Sequence, residues 1–175
     1  LGDQLLQYLG VDTDSISKYK TFVRKSDFLF KYMPDFYDCC KGKPGELIPL
    51  EDCENLPFLP KIKNRFEGKV VFIQGQNTFS SANYLLTTIK DNHLFSIIGT
   101  PTSQKPTCFG DVLPVELPFT GTKGYISHSY FERPDVNCNE EDCLFPDFHI
   151  PMSMDERLKG IDKCWVWIEM NLSDE

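Results

Sequence analysis

The sequence predicts an α/β fold that is built around one βαβ unit and completed by further β-strands and C-terminal helices. Residues 69–75, "KVVFIQG", form a continuous apolar run that ends in glycine, as a strand buried on both faces would. The apolar side chains of residues 80–91 fall on one helical stripe that begins at Ala82 and ends at Ile89. Residues 94–99, "LFSIIG", form a second apolar run. We therefore expect a strand, a helix and a parallel strand with a right-handed crossover.

The segments that precede this unit predict shorter elements. Residues 1–9 carry leucines at helical spacing and predict a helix. Residues 18–25 alternate as a strand does, and Ser26 can cap a short helix that Pro34 ends. Residues 35–60 contain cysteines and prolines with no clear period, so we predict a long loop or insertion there.

The segments that follow the unit predict a hairpin and two helices. Residues 112–119, "VLPVELPF", and 124–131, "GYISHSYF", read as strands joined by a turn. Ser153 and Glu156 have the spacing of a capping box, which predicts the start of a helix. A final helix over residues 162–172 should place an aromatic-rich face against the body of the protein.

The composition describes a folded domain with an acidic surface. The chain has 175 residues, of which 41% are apolar and 25% charged, and its net charge is −8. This length is sufficient for one hydrophobic core. The negative charge argues against a nucleic-acid partner. No apolar run reaches the length of a membrane span.

The seven cysteines predict free thiols and not a metal site, because none of them has CxxC spacing. A disulfide between Cys138 and Cys143, or from Cys39 or Cys40 to Cys53, stays open as an alternative in an oxidising compartment. The sequence gives no reason to expect a metal or another cofactor.

A cluster of hydroxyl residues lies at the junction between the first predicted strand and the helix, at Thr78, Ser80 and Ser81. Hydroxyl residues at such a place commonly cap the helix. The same place also suits a nucleophile, since ligands of α/β folds bind beyond the carboxyl ends of strands. The free N–H groups of a helix N-terminus can stabilise an oxyanion. The pattern alone favours the capping role.

Residues 68–111, "GKVVFIQGQNTFSSANYLLTTIKDNHLFSIIGTPTSQKPTCFGD", resemble the catalytic core of the C-terminal processing, or tail-specific, serine proteases. The family pattern is a buried strand, T-x-S-(A/S)-(A/S)-E, a helix ending in "DNG", a second strand and G-E-P-T-x-G-K. This chain has "TFSSAN" at residues 78–83 and "GTPTSQK" at residues 99–105. The resemblance extends from about Phe66 to Asp162.

The resemblance implies an active site and a fold. Ser80 matches the family's nucleophile and Lys105 its general base, and the backbone N–H of Ser81 would stabilise the oxyanion. The implied fold is a crotonase/ClpP-like spiral βαβ core with additional β-strands and C-terminal helices. Asn83 stands where the family usually has glutamate, and Phe109 stands where many members have glutamine.

The resemblance also implies a larger protein, of which residues 1–175 would be a partial catalytic domain. A glycine-rich strand with a second oxyanion donor, and a PDZ or cap domain, are expected upstream. Loss of one such donor typically slows catalysis about 100- to 1,000-fold, so we expect this chain alone to have little peptidase activity. The implied substrate is polypeptide, as unstructured or C-terminal segments, in an extracytoplasmic compartment, with no cofactor.

Three alternatives remain open beside this interpretation. A lysine activates a serine only when it is neutral and therefore desolvated, and His128 is the reserve candidate for the base. The chain could instead be a non-catalytic binding module, since retinoid-binding repeats use the same fold. A weaker alternative is an enoyl-CoA hydratase-like enzyme on the related crotonase fold.

Overall fold

The computed structural model describes residues 2–34, 41–50 and 64–172. The chain divides into two compact units. The first comprises Leu1–Ser17, Leu59–Pro106 and Glu140–Glu175, and the second comprises Lys18–Phe58 and Thr107–Asn139. No helix in the described ranges has both the length and the hydropathy of a membrane span.

The first unit contains the predicted βαβ arrangement. Strand β3 is Val71–Gln74, helix α3 is Ser81–Asp91 and strand β4 is Ser96–Gly99. Strands β3 and β4 are parallel, and β4 pairs in parallel with the short strand β7, Phe148–His149, on its other side. The sheet order is β3-β4-β7. The carboxyl ends of β3 and β4 therefore lie at one edge of this sheet.

The core of the first unit forms between α3 and one face of this sheet. Its buried residues come from α3, from β4 and from more distant segments: Leu6, Leu86, Ile89, Ile97 and Leu144. Leu6 belongs to helix α1, Gly2–Tyr8, which confirms the predicted N-terminal helix. The predicted apolar stripe of α3 is only partly buried, because Ala82 at its start is exposed.

The prediction that the first apolar run is buried on both faces is wrong. Ile73 of β3 is 51% exposed, although it lies in register with the fully buried Ile98. Phe148 continues this row and packs on Trp167, with ring centroids 5.0 Å apart. The sheet face opposite α3 is thus covered only in part by the C-terminal helix.

Two helices end the first unit, and the predicted capping box is present at the first of them. Helix α4 is Met154–Leu158, and its N-cap Ser153 exchanges hydrogen bonds with Glu156. Helix α5 is Lys163–Leu172. Hydrogen bonds from Lys163 and Ser153 lower the pKa of Glu156 from 4.5 to about 2. The aromatic face of α5 is partly packed, since Trp165 stays 57% exposed while Trp167 contacts the sheet.

The second unit is a four-stranded antiparallel sheet, in which the strands lie in the order β2 (Leu47–Pro49), β1 (Lys20–Arg24), β6 (Lys123–Glu132) and β5 (Cys108–Glu116). Strands β5, Cys108–Glu116, and β6, Lys123–Glu132, form the predicted hairpin. Strand β1 is Lys20–Arg24, as predicted from its alternation. Strand β2, Leu47–Pro49, lies in the range predicted to be a long loop and corrects that prediction at these three residues. Residues 35–40 and 51–60 of that range lie outside the described residues.

A small core holds the second unit together. Ser26 caps helix α2, Asp27–Tyr32, and its side chain accepts the N–H of Leu29, as predicted. Leu29 packs with Val23 of β1 and Leu113 of β5. Two sheets with helices confirm the predicted α/β class, and the crotonase/ClpP-like spiral stays a prediction.

Candidate active site

A tight turn connects β3 to α3 and places the hydroxyl cluster at the edge of the sheet. The backbone N–H of Thr78 donates to the Gly75 carbonyl at 2.9 Å. The Gly75 N–H in turn donates to the Thr78 hydroxyl at 3.1 Å. Thr78 therefore closes the turn and does not cap α3, which begins three residues later at Ser81.

Ser80 occupies the N-cap position of α3 in a backbone conformation that non-glycine residues seldom adopt. Its φ is 55° and its ψ is −132°. Its side chain makes no capping hydrogen bond, and the residue is exposed. The capping role that the pattern alone favoured for Ser80 is therefore wrong. Such backbone conformations cost about 1–3 kcal/mol each and cluster at functional sites.

The first turn of α3 presents a hydrogen-bond donor beside this hydroxyl. The Ser80 carbonyl accepts the N–H of Tyr84 at 2.9 Å, which starts the helix. Within the described part of the chain, the backbone N–H of Ser81 has no hydrogen-bond partner. Unpaired N–H groups at a helix start carry partial positive charge and attract negatively charged groups. The N–H of Ser81 is therefore a donor that a negatively charged group could bind.

The loop that carries Lys105 leaves the end of β4, next to the end of β3. Gly99 has a φ of +118°, and a Cβ added there would lie 2.1 Å from the Gln74 carbonyl oxygen. The buried side-chain amide of Gln74 donates to the carbonyls of Thr100, at 3.1 Å, and Leu144, at 2.7 Å. Thr102 also bonds Leu144 through both its backbone N–H and its hydroxyl. These contacts fix the path of residues 99–102.

Lys105 itself lies at the surface in this structure. Its side chain is 39% exposed, and its amine is 3.5 Å from a carboxylate oxygen of Asp142. Among the described residues, no hydrogen bond joins this amine to the Ser80 hydroxyl. The desolvation that a neutral lysine base requires is not provided by this arrangement of the side chain.

Gln104, which the sequence analysis did not single out, joins the loop of Lys105 to the turn between β3 and α3. Its side-chain oxygen accepts the backbone N–H of Ser80. The neighbouring Ser103 N–H donates to the Gln76 carbonyl at 3.3 Å. Two contacts thus bring the residues before Lys105 against the turn that holds Ser80. No sequence motif indicated Gln104, because the bond depends on how two loops meet in space.

Asn83 is a second polar residue with unusual surroundings. It lies one turn after Ser80 on α3 and is fully buried. Neither polar atom of its side chain has a hydrogen-bond partner among the described residues. Its backbone carbonyl accepts the Thr87 hydroxyl at 2.8 Å. A buried amide without partners destabilises a fold, so Asn83 is a costly residue at this position.

His128, the reserve base, lies in the second unit on β6. One ring nitrogen is 3.3 Å from the Met33 sulfur, and the other is 3.1 Å from the Ser129 hydroxyl. Burial lowers the pKa of His128, and the nearby Asp111 carboxylate partly offsets this. Phe109, also in this unit, contacts Tyr130 with the two rings tilted and their centroids 5.0 Å apart. His128 and Phe109 thus both contact neighbouring side chains within the second unit.

None of the described cysteines forms a disulfide. Cys138 and Cys143 are not bonded to each other, so the open alternative of a disulfide between them is wrong. Cys39, Cys40 and Cys53 lie outside the described residues. In the described ranges, no group of three or more His, Cys, Asp or Glu side chains is arranged to hold a metal ion.

Similar folds occur in solved structures, one of which is described as a peptidase. No protein-family model matches the chain, and no curated protein matches it. A candidate peptidase from Parabacteroides merdae ATCC 43184 aligns with a TM-score of 0.62 at 16% identity, covering 99% of this chain and 48% of that chain. Mature CPAF aligns with a TM-score of 0.60 at 17% identity, covering 94% of this chain and 39% of that chain. CPAF in complex with lactacystin aligns with a TM-score of 0.57 at 16% identity, covering 88% of this chain and 38% of that chain.

The neighbours include a candidate peptidase, the class of protein that the motifs resemble. At such low identity the likeness shows a shared fold. The chain spans less than half the length of each of these solved chains. The fold and the geometry of the β3–α3 turn are thus the findings on which a function can be proposed.

Proposed function

We propose that this chain carries the catalytic centre of a serine peptidase, with Ser80 as the nucleophile, Lys105 as the general base and the Ser81 N–H as an oxyanion donor. The observation that carries the proposal is the conformation of Ser80. Its φ is 55°, the residue is exposed and its side chain does not cap the helix, and the N–H of Ser81 has no partner among the described residues. A serine held on a sharp strand-to-helix turn is the arrangement by which α/β hydrolases expose a nucleophile.

In the proposed reaction, the Ser80 oxygen attacks the carbonyl carbon of the scissile peptide bond. The neutral amine of Lys105 takes the hydroxyl proton and gives it to the leaving nitrogen, and water then hydrolyses the acyl ester. Ser–Lys pairs are a known variant of the serine–histidine arrangement. The Lys105–Asp142 ion pair must first break, and pairs this exposed are worth at most about 1 kcal/mol.

The finer parts of the proposal follow from the resemblance to tail-specific proteases. The substrate would be an unstructured or C-terminal segment of polypeptide in an extracytoplasmic compartment. The core would be the crotonase-like spiral, with residues 1–175 as part of a longer catalytic chain. Serine endopeptidase activity would then require that longer chain, because a second oxyanion donor is expected from it.

A fluorophosphonate probe on the full-length protein tests the proposal. We expect covalent labelling at Ser80, found by peptide mass spectrometry, and its loss in Ser80→Ala. Ser81→Ala should keep most labelling, because the proposed role of Ser81 uses only its backbone. Lys105→Ala should slow labelling and turnover while keeping the fold. If Ser81→Ala is the inactive variant, the nucleophile is one residue later, and if wild type is not labelled, the peptidase proposal fails.

One observation favours a second candidate, a non-catalytic binding module on the same fold. Lys105 is exposed and paired with Asp142, and in the described structure its amine does not bond the Ser80 hydroxyl. In a binding module, neither Ser80 nor Lys105 would take part in catalysis. Full-length protein that neither reacts with the probe nor cleaves unfolded polypeptide would support this alternative.

A further inference from the structure

We propose that Gln104 is a positioning residue for catalysis, which holds Ser80 in its reactive conformation and fixes the loop of Lys105 against it. This inference rests on the proposed peptidase function. It assigns a role to a side chain that matches no motif, and the contact that reveals it joins residues 24 positions apart.

The first step of the argument concerns the strain at Ser80. A non-glycine residue stays at a φ of 55° with a ψ of −132° only when surrounding contacts hold it there. The Ser80 carbonyl is held by the first turn of α3, through the N–H of Tyr84. The Ser80 N–H is held by the side-chain oxygen of Gln104. Gln104 therefore supplies one of the two backbone contacts that restrain the nucleophile.

The second step concerns how Gln104 is itself held. Its backbone carbonyl accepts the hydroxyl of the buried Thr102 at 3.0 Å. Thr102 is bonded in turn to Leu144 through its backbone N–H and its hydroxyl. Gln104, which restrains Ser80, is thus itself bonded to the part of the loop that Leu144 holds in place.

The third step concerns Lys105, the next residue along the chain. Gln104 contacts the proposed nucleophile, Ser80, through its side chain, and a peptide bond joins it to the proposed base, Lys105. Losing the acceptor oxygen would leave the bond from Ser103 to the Gln76 carbonyl as the other contact, so the Ser80 turn and the loop of Lys105 could shift relative to each other. Misplacing reacting groups by about 1 Å can cost on the order of 100-fold in rate. We therefore expect a loss in kcat with little change in KM.

The test compares two substitutions at this position in the full-length protein. Gln104→Met keeps the length and volume of the side chain but removes the acceptor oxygen. We expect kcat and the rate of fluorophosphonate labelling to fall about 10- to 100-fold, with KM within about twofold of wild type. Gln104→Glu keeps an acceptor oxygen and should recover most of the lost rate. Ser103→Ala is the matched control, because the Ser103 side chain is exposed and its backbone N–H bond is retained.

The outcomes separate this inference from the proposed function. Wild type that is labelled, with Gln104→Met labelled equally fast, overturns the role of Gln104 and leaves the peptidase proposal standing. Equal losses in Gln104→Met and Gln104→Glu also overturn it, since the acceptor oxygen would then be irrelevant. A loss explained by unfolding is recognised from the thermal midpoint, and Gln104→Glu then decides alone: a folded, active Glu variant supports the role, and an inactive one overturns it. Unlabelled wild type overturns both proposals.

Discussion

The amine of Lys105 lies 3.5 Å from a carboxylate oxygen of Asp142, and both side chains are accessible to solvent. In the proposed reaction, this ion pair has to break before the amine can take a proton from Ser80. Asp142→Asn removes the pair, so we expect kcat/KM for a peptide substrate to rise by up to about fivefold, the equivalent of an exposed pair worth about 1 kcal/mol. Glu140→Gln removes an exposed negative charge from the same loop and is the control. A lower rate in Asp142→Asn would show that the pair assists catalysis.

The strain at Ser80 predicts that stability and activity oppose each other at this position. Glycine adopts a positive φ without steric penalty, whereas alanine keeps the Cβ that causes it. We therefore expect Ser80→Gly to unfold with a free energy about 1 kcal/mol higher than that of Ser80→Ala. Both variants should be inactive. Denaturant unfolding of the pair measures the difference, and equal stabilities would mean that the 55° φ of Ser80 is not strained.

Asn83 predicts a substitution that stabilises the protein. Its buried side chain has no hydrogen-bond partner among the described residues. Leucine has a similar shape and loses nothing when it is buried without a partner, so Asn83→Leu should raise the free energy of unfolding by about 1–3 kcal/mol. Thr87→Val, one turn later, is the contrasting variant, because it removes a buried hydroxyl that does bond the Asn83 carbonyl. It should lower the free energy of unfolding by about 1 kcal/mol. Destabilisation by Asn83→Leu would indicate that the Asn83 amide is hydrogen-bonded.

The capping box of α4 predicts a pH-dependent contribution to stability. Hydrogen bonds from Lys163 and Ser153 lower the pKa of Glu156 from 4.5 to about 2. A lowered carboxyl pKa means that the stabilisation is complete above about pH 4.5 and is lost as the pH falls toward 2. The gap in unfolding free energy between wild type and Glu156→Gln should therefore close over that interval. In a Lys163→Met background the gap at neutral pH should be smaller, and an unchanged gap would assign the effect to Ser153 alone.

Periodicity predicted the regular elements because each has a repeating pattern over many residues. The βαβ unit and the hairpin of β5 and β6 follow directly from such patterns. The strand at Leu47–Pro49 was missed, since three residues are too few for a period and its pairing with β1 is set by tertiary structure. The exposure of Ile73 was missed for a related reason. An apolar run indicates a strand but does not indicate whether other segments cover each face.

The candidate site was predictable where it depends on chain order and unpredictable where it depends on side-chain direction. Ser80 falls at the strand–helix junction because a buried run precedes it and an amphipathic helix follows. The bond from Ser80 to Gln104 joins two loops, so no local pattern contains it. The pairing of Lys105 with Asp142 likewise depends on which way a long, flexible side chain extends from its loop.

The close approach of Gly99 to the Gln74 carbonyl makes position 99 a diagnostic marker for related sequences. Any side chain there would place its Cβ 2.1 Å from that oxygen, in a backbone conformation that L-residues rarely adopt. In a homologue with glycine at this position, the loop that corresponds to residues 99–105 can follow the same path. A homologue with any larger residue must route the loop differently, and its lysine should not be aligned with Lys105 on spacing alone. Saturation mutagenesis at position 99 should accordingly leave glycine as the single residue that retains activity.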